Sequence, residues 1–357
     1  MGEGIELIHL PLKDVLSGAA YSHVDDRHAI ARTSEEKTRA LATNPFRASP
    51  EDPGQILALC DGCVVGRIDL MPGELRRNGE KVRCVWISHL FVVPEYRGHG
   101  VATRIMSEVP LVHHTIGGCG ISAMSRRLYR NLGWQDLDLP RYVTLESALK
   151  LLPPSMRLGV DQRLRHWRAA EGRRVMTSLH ELVCRDADSM PADWDQWLGN
   201  TSGGVAGARS SQWINWLLRN EFVGGRRARN VLLLFEDRKG DPAGYVLGQV
   251  KHVDSAASLP LRSFKSGVIQ DWRTCDSAKL SAQDMIAVCA SALEKCGADV
   301  VSVCARDAGL SMMRLGCVRY GAVQARFMLR NDSPLYGEKV ADSHWCLTSA
   351  DGDNFFS

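Results

Sequence analysis

The stretch from Ile87 to Met106 constrains this chain more than any other. Trp86 to Val93 is an apolar, β-branched run that reads as a largely buried strand. Pro94 ends it, because proline has no amide hydrogen to give a ladder. Arg97-Gly98-His99-Gly100 follows, and Val101, Ile105 and Met106 then recur at helical spacing, with Pro110 expected to close the helix. A strand, a glycine turn and a helix N-terminus together make an anion cradle. The first amides of a helix lack intrahelical acceptors, and the macrodipole adds partial positive charge there. Glycine at 98 and 100 keeps Cβ atoms out of the way of a bulky phosphate. No Gly-Lys-Ser/Thr follows, so the turn is not a P-loop. Thr103 stands where a dinucleotide fingerprint needs its third glycine.

The rest of the composition narrows the field. A chain of 357 residues is long enough for two domains. With 45% hydrophobic and 24% charged residues it has the make-up of a soluble globular protein. A net charge of +3 at this size gives no general case for nucleic-acid binding, and no run is long enough to span a membrane. The start, Met1-Gly-Glu-Gly-Ile5, has neither a basic nor an apolar signal region, so a cytoplasmic location is expected. The eleven cysteines are scattered, mostly in apolar runs, as reduced buried thiols would be. Cys60-Asp-Gly-Cys63 has no companion pair, and Asp61-Gly62 is a hairpin dipeptide; a turn, and no metal site, is expected.

Along the chain, Ile5 to Leu10 reads as a first strand and Leu12 to Leu41 as helical, with a cap at Thr33-Ser-Glu-Glu36. Gln55 to Cys60 and Cys63 to Leu70 flank the Asp61-Gly62 turn, and Lys81 to Val93 returns after Asn78-Gly79. Leu111 to Ile116 reads as the next strand, broken by Gly117-Gly118. Ser122 to Trp134 is an amphipathic helix stopped by Gly133, and Leu137 to Leu145 supplies a final strand.

Arg97-x-x-Gly100-x-Ala102, entered from Leu90-Phe-Val-Val-Pro-Glu-Tyr96, resembles the pyrophosphate-binding motif of the GNAT superfamily, the acyl-CoA-dependent N-acyltransferases. Leu128-Tyr129 and Gly133-Trp134 resemble that family's C-terminal helix pattern. The resemblance implies an acyl-CoA co-substrate held by Leu90, Phe91, Val92 and Val93 along pantetheine, and by Arg97, Gly98, His99, Gly100, Val101, Ala102 and Thr103 at the pyrophosphate. It implies Tyr129 as the acid that protonates the departing thiolate. Many relatives carry a glutamate base where this chain has Trp86. His89 on the same strand, and one of His113 and His114 on the next, are candidates to replace it, as is a water relay. The polar cluster Tyr21 to His28 would lie on the acceptor-side wall, or form a solvated loop.

From Val175 the order of elements starts again, as in an internal duplication. Val231 to Asp237 and Ala243 to Val250 parallel the first hairpin; Met285 to Lys295 is a helix, Val300 to Cys304 a strand and Leu310 to Leu315 a helix. The second copy has Asp271-Trp-Arg-Thr-Cys-Asp-Ser277 where the first has its glycine turn, and Met312 in the place of Tyr129. Two acids would repel a pyrophosphate, so this copy is expected to be catalytically degenerate. The reading is therefore an α/β protein of two GNAT-like domains, each a mostly antiparallel mixed sheet flanked by helices. Residues 1–150 form the acyl-CoA-binding copy, 151–174 a basic linker helix and 175–357 the degenerate copy. The acidic turn near Asp351 is read as a polar end, with capture of a cationic acceptor as the other reading. The function expected is transfer of an acetyl or other acyl group to a small-molecule amine such as an amino sugar or amino-acid-like metabolite. A protein lysine or N-terminal acetyltransferase and a non-catalytic acyl-CoA-binding module are the alternatives. No nucleic-acid or membrane partner is expected, and the sequence is silent on oligomeric state.

Overall fold

A computed structural model describes residues 4–77, 80–119, 121–139, 141–144, 182–199, 205–220, 222–223, 226–254, 263–275, 280–306, 317–319, 325–330, 345–348 and 350–351. The linker at 151–174 and Met312 lie outside these residues. In the first half the elements are β1 (Ile5–Pro11), α1 (Leu12–Ser17), α2 (Glu35–Ala42), β2 (Pro53–Cys60), β3 (Cys63–Arg77) and β4 (Glu80–Val92). They continue with α3 (Val101–Val112), β5 (Ile116–Gly118), α4 (Ala123–Asn131), β6 (Trp134–Leu139) and β7 (Arg141–Thr144). The second half opens with β8 (Leu182–Ala187), α5 (Asp195–Gly199), β9 (Val205–Gly207), α6 (Ser211–Arg219) and a short ribbon, β10 (Phe222–Val223) with β11 (Arg226–Arg227). It continues with β12 (Arg229–Asp237), β13 (Pro242–Asp254), β14 (Ser263–Thr274), α7 (Ala282–Lys295), β15 (Val300–Arg306), β16 (Cys317–Arg319), β17 (Ala325–Arg330) and β18 (Trp345–Thr348).

The duplication read from the sequence is present in the pairing. In the first half β1, β2, β3 and β4 pair antiparallel in order, and β4 then pairs parallel with β5. In the second half β8, β12, β13 and β14 pair antiparallel, and β14 pairs parallel with β15. The halves also exchange their last strands. β17 inserts between β5 and β6, whereas β7 inserts between β15 and β16. The final strand expected at Leu137 to Leu145 is, among the described residues, two strands, β6 ending at Leu139 and β7 running from Arg141 to Thr144.

One apolar core joins the halves. Met71, Leu75, Cys84 and Trp86 from β3 and β4 pack with Trp194, Trp213, Trp216 and Tyr245 of the second half. Trp216 also donates its indole N–H to the Ala40 carbonyl at the end of α2, at 2.9 Å. Arg209 is buried against Asp271 through two bonds of 2.8 and 2.9 Å and against Asp351 at 2.8 Å. This corrects two expectations. Asp271 stands inside β14, neutralised by a forked guanidinium, and not in a pyrophosphate turn. Asp351 is 3% exposed and ion-paired, so it is neither a polar end nor open to an acceptor.

Two local expectations also change. α3 runs through Pro110 to Val112, because proline in a last turn costs a single backbone bond and His113 N–H still reaches the Val109 carbonyl at 3.2 Å. Leu111 to Thr115 is therefore helix end and turn, and β5 begins at Ile116 with Gly117 and Gly118 inside it. Gly117 is required there by packing: a Cβ would lie 1.9 Å from the Trp86 ring. The Asp61-Gly62 turn is as read, with φ of +51° and +76° and Cys60 paired to Cys63.

The exchange predicts shared stability. Met328 of β17 is fully buried in the first half's core with Ile87, Ile116 and Trp134. Met328→Ala should cost about 2–5 kcal/mol and shift both halves in one urea transition, followed by tryptophan fluorescence. Two separated transitions, with only the second half affected, would contradict the exchange.

Candidate active site

The glycine turn is built as a cradle. After β4, Pro94–Tyr96 forms one 3-10 turn, and Gly98 and Gly100 take left-handed φ values of +82° and +81°. Gly100 is the N-cap of α3, and a Cβ at either glycine would meet nothing within 4 Å. Backbone conformation demands these glycines, and the space over them is open. Val101, Ile105, Met106 and Val109 bury one face of α3 on the sheet, which fixes where its first amides point. Arg97 is tied to the strand end: its Nε donates to the Val92 carbonyl at 3.0 Å and its guanidinium sits 5.7 Å from the Phe91 ring centre. Phe91, Arg97, Gly98, His99, Gly100 and Thr103 are exposed, and Leu90 and Ala102 are partly so. The side chains of Val92, Val93 and Val101 enter the core, so these three offer a ligand only main chain.

A second feature leads into this cradle. The parallel ladder of β4 and β5 covers Val85–Ile87 and Ile116–Gly118 and then stops, while β4 runs on to Val92. Among the described residues nothing pairs with that edge of β4 beyond Ile87. The strand therefore presents unpaired N–H and C=O groups leading directly to the helix N-terminus.

At the parting of the strands β4 bulges. Arg67 faces Phe91 and Asp69 faces Ser88, so His89 and Leu90 fit opposite Ile68 alone. His89 takes φ +50°, uncommon for a residue other than glycine and a form of strain that clusters at functional sites. Its ring edge meets a buried ionic cluster. Asp69 Oδ2 lies 3.2 Å from His89 Nδ1 and 3.2 Å from Lys37 Nζ, and Lys37 Nζ lies 2.9 Å from His89 Nδ1. Lys37 also donates to Ser88 Oγ. Gln55 Nε2 donates to Asp69 Oδ1 at 3.0 Å and to the Ala31 carbonyl at 2.8 Å, and takes a bond from the Tyr21 hydroxyl at 3.0 Å on its Oε1. Burial alone would raise the Asp69 pKa, but the charges of Lys37 and Arg67 and the Gln55 bond act against it, and the carboxyl is held well below its usual range. The Tyr21 hydroxyl is pushed up to about 12 by burial and by the charge of Asp69.

Lys37, Asp69 and Ser88 are all below 10% exposed, whereas the His89 side chain is 55% exposed. The imidazole thus joins the buried cluster, which its Nδ1 touches, to the surface. Of these residues the sequence reading named only His89 and Tyr21. Two signals were available. Lys37 shares the buried face of α2 with Ala40 and Leu41, and Asp69 interrupts an apolar strand.

Tyr129 is 4% exposed and stacked on Trp134, with ring centres 5.2 Å apart. His113 caps the end of α3 and lies 3.0 Å from the Thr115 carbonyl, and burial lowers its pKa. His113 and His114 lie in a turn, so the strand alternation expected to aim one of them does not operate. Trp86 lies over Gly73 and Gly117 and, with Phe46, Met71, Trp213 and Trp216, lines a small cavity beside this face of β4.

Residues 52–136 match the acetyltransferase (GNAT) domain. That segment of the first half carries a GNAT domain. Solved structures agree in fold across both halves. A probable N-acyltransferase from Enterococcus faecalis superposes with TM-score 0.53 at 12% identity, covering 91% of this chain and 72% of that one. A GCN5-related N-acetyltransferase from Kribbella flavida gives 0.51 at 17%, covering 91% and 71%. Saccharomyces cerevisiae N-myristoyltransferase with bound myristoyl-CoA gives 0.50 at 11%, covering 92% and 82%. No curated protein sequence matches this chain. The domain matched over residues 52–136 is what supports acyl transfer as the chemistry of this half.

Two outcomes follow for this site. Gly100→Val should weaken coenzyme A binding about tenfold or more, equivalent to about 1.4 kcal/mol, by calorimetric titration; an unchanged Kd would exclude the cradle. Asp69→Asn leaves Lys37 buried without its counter-ion and should cost about 3–5 kcal/mol. The depressed Asp69 pKa stabilises the fold fully above the unfolded carboxylate value of about 3.9 and loses that contribution as pH falls below it. Acid titration of stability should therefore be shallower in Asp69→Asn than in the wild type.

Proposed function

We propose that this protein transfers an acyl group, acetyl in the first instance, from acyl-CoA to the primary amine of a small-molecule acceptor. The observation that carries the reading is one continuous path: the free edge of β4, the His89 bulge at its start and the Gly98–Gly100 cradle at its end. The open edge suits the amides of pantetheine, and the amides of Gly98 to Thr103 with Arg97 suit a diphosphate. In this reading the thioester lies beside His89. There the amine lone pair forms the new C–N bond, the C–S pair leaves on sulfur, and the nitrogen gives up a proton as the thiolate gains one. Tyr129 is the proposed donor to that thiolate, the role that the helix pattern around it implies.

A small acceptor is supported by the second half, whose Trp213 and Trp216 pack over the face of β4 that holds Trp86. That cover leaves less room for a folded protein substrate. Among the described residues no helix is long and apolar enough to cross a membrane, and no group of three or more potential ligands could hold a metal.

Thiol release from acetyl-CoA against a panel of amines tests the proposal. Tyr129→Phe should lower kcat at least about tenfold, within the usual worth of a general acid, while leaving the coenzyme Kd unchanged. Tight acetyl-CoA binding with no turnover for any amine would overturn catalysis in favour of a binding module.

A further inference from the structure

An ammonium group offers three hydrogens and accepts none. Lys37 Nζ has three neighbours to receive them: Asp69 Oδ2 at 3.2 Å, Ser88 Oγ, and His89 Nδ1 at 2.9 Å. At 2.9 Å from a buried donor, Nδ1 must present its lone pair, since an N–H there would face an N–H. In a neutral imidazole the ring proton then sits on Nε2. Asp69 Oδ2, also 3.2 Å from Nδ1, pulls the other way. The two demands are unequal. Asp69 already receives Gln55 on Oδ1 and Lys37 on Oδ2, with Arg67 Nε 4.0 Å from Oδ1. The third Lys37 hydrogen has no acceptor except Nδ1 among the described residues. Moving the ring proton to Nδ1 would give a satisfied carboxylate one more donor and leave a buried ammonium one acceptor short.

We infer that Lys37 is a positioning residue that sets the tautomer of His89, so that the ring offers Nε2–H, a donor, to the open edge of β4. His89 then serves acyl transfer by donating a hydrogen bond to the acyl oxygen, where negative charge grows as the C–N bond forms. The proton lost by the amine leaves through water and does not pass through His89. The role toward the acyl oxygen rests on the acyl-transfer reading, whereas the tautomer rests on geometry alone.

Long-range proton–nitrogen NMR of the histidine rings in the full-length protein tests the tautomer, with the His89 signals assigned by their loss in His89→Gln. The wild type should show the proton on Nε2; a proton on Nδ1 overturns the inference. In Lys37→Met the proton should move to Nδ1, toward Asp69, and a folded variant that keeps it on Nε2 also overturns it. Should Lys37→Met fail to fold, the wild-type spectrum decides alone. Kinetics test the role. Glutamine can accept from Lys37 and donate outward, so His89→Gln should keep kcat within about tenfold of wild type, while His89→Glu, a base but not a donor, should lose about a hundredfold or more. The reverse order overturns the donor role. An Nε2–H signal in a protein with no turnover for any amine would support the tautomer and reject the acyl-transfer reading.

Discussion

A strand whose neighbour has turned away must still find partners for its main-chain polar groups, and the first half is arranged around that constraint. β4 is paired along its whole length by β3 on one side, yet β5 leaves it after Ile87 on the other. What keeps the gap open is local. Trp86 lies flat over Gly73 and Gly117, so the last paired positions are wedged by an indole that only glycines can accommodate. Beyond it the bulge at His89 and Leu90 turns the strand, and the two left-handed glycines then turn the chain into α3.

The cradle was readable because its chemistry is local. Glycine at 98 and 100, the proline stop and the helical spacing of Val101, Ile105 and Met106 all report on a few consecutive residues. The ionic cluster was not, because Lys37, Asp69 and His89 come from α2, β3 and β4 and meet only through tertiary packing. Asp271 and Asp351 misled for the same reason: a carboxylate in a row of letters looks solvated until the arginine that neutralises it is placed. Leu111 to Ile116 misled differently. A short apolar run has no period of its own, and here the preceding helix simply continued through its proline.

Trp86 ties these observations together. Where many relatives carry a carboxylate, this chain places an apolar wedge, and a buried carboxylate, Asp69, sits two strand positions away on β3, opposite Ser88. Proton handling at such a site passes from a single charged side chain to a network in which Lys37, Asp69 and His89 share hydrogens. The second half completes the surroundings through Trp213 and Trp216 and is itself pinned by Arg209 to its own β14 and to Asp351.

The exchanged strands give the molecule a particular order of birth. An interior strand of the first sheet, Ala325–Arg330, lies far along the chain from the strands it separates, Ile116–Gly118 and Trp134–Leu139. On the ribosome, everything up to α4 and β6 emerges with a vacant slot between β5 and β6, and it closes only after Ala325–Arg330 has followed. The nascent first sheet therefore waits with two naked edges, the sort of surface that chaperones and neighbouring chains compete for. The first sheet is complete only with a strand from the second half in place.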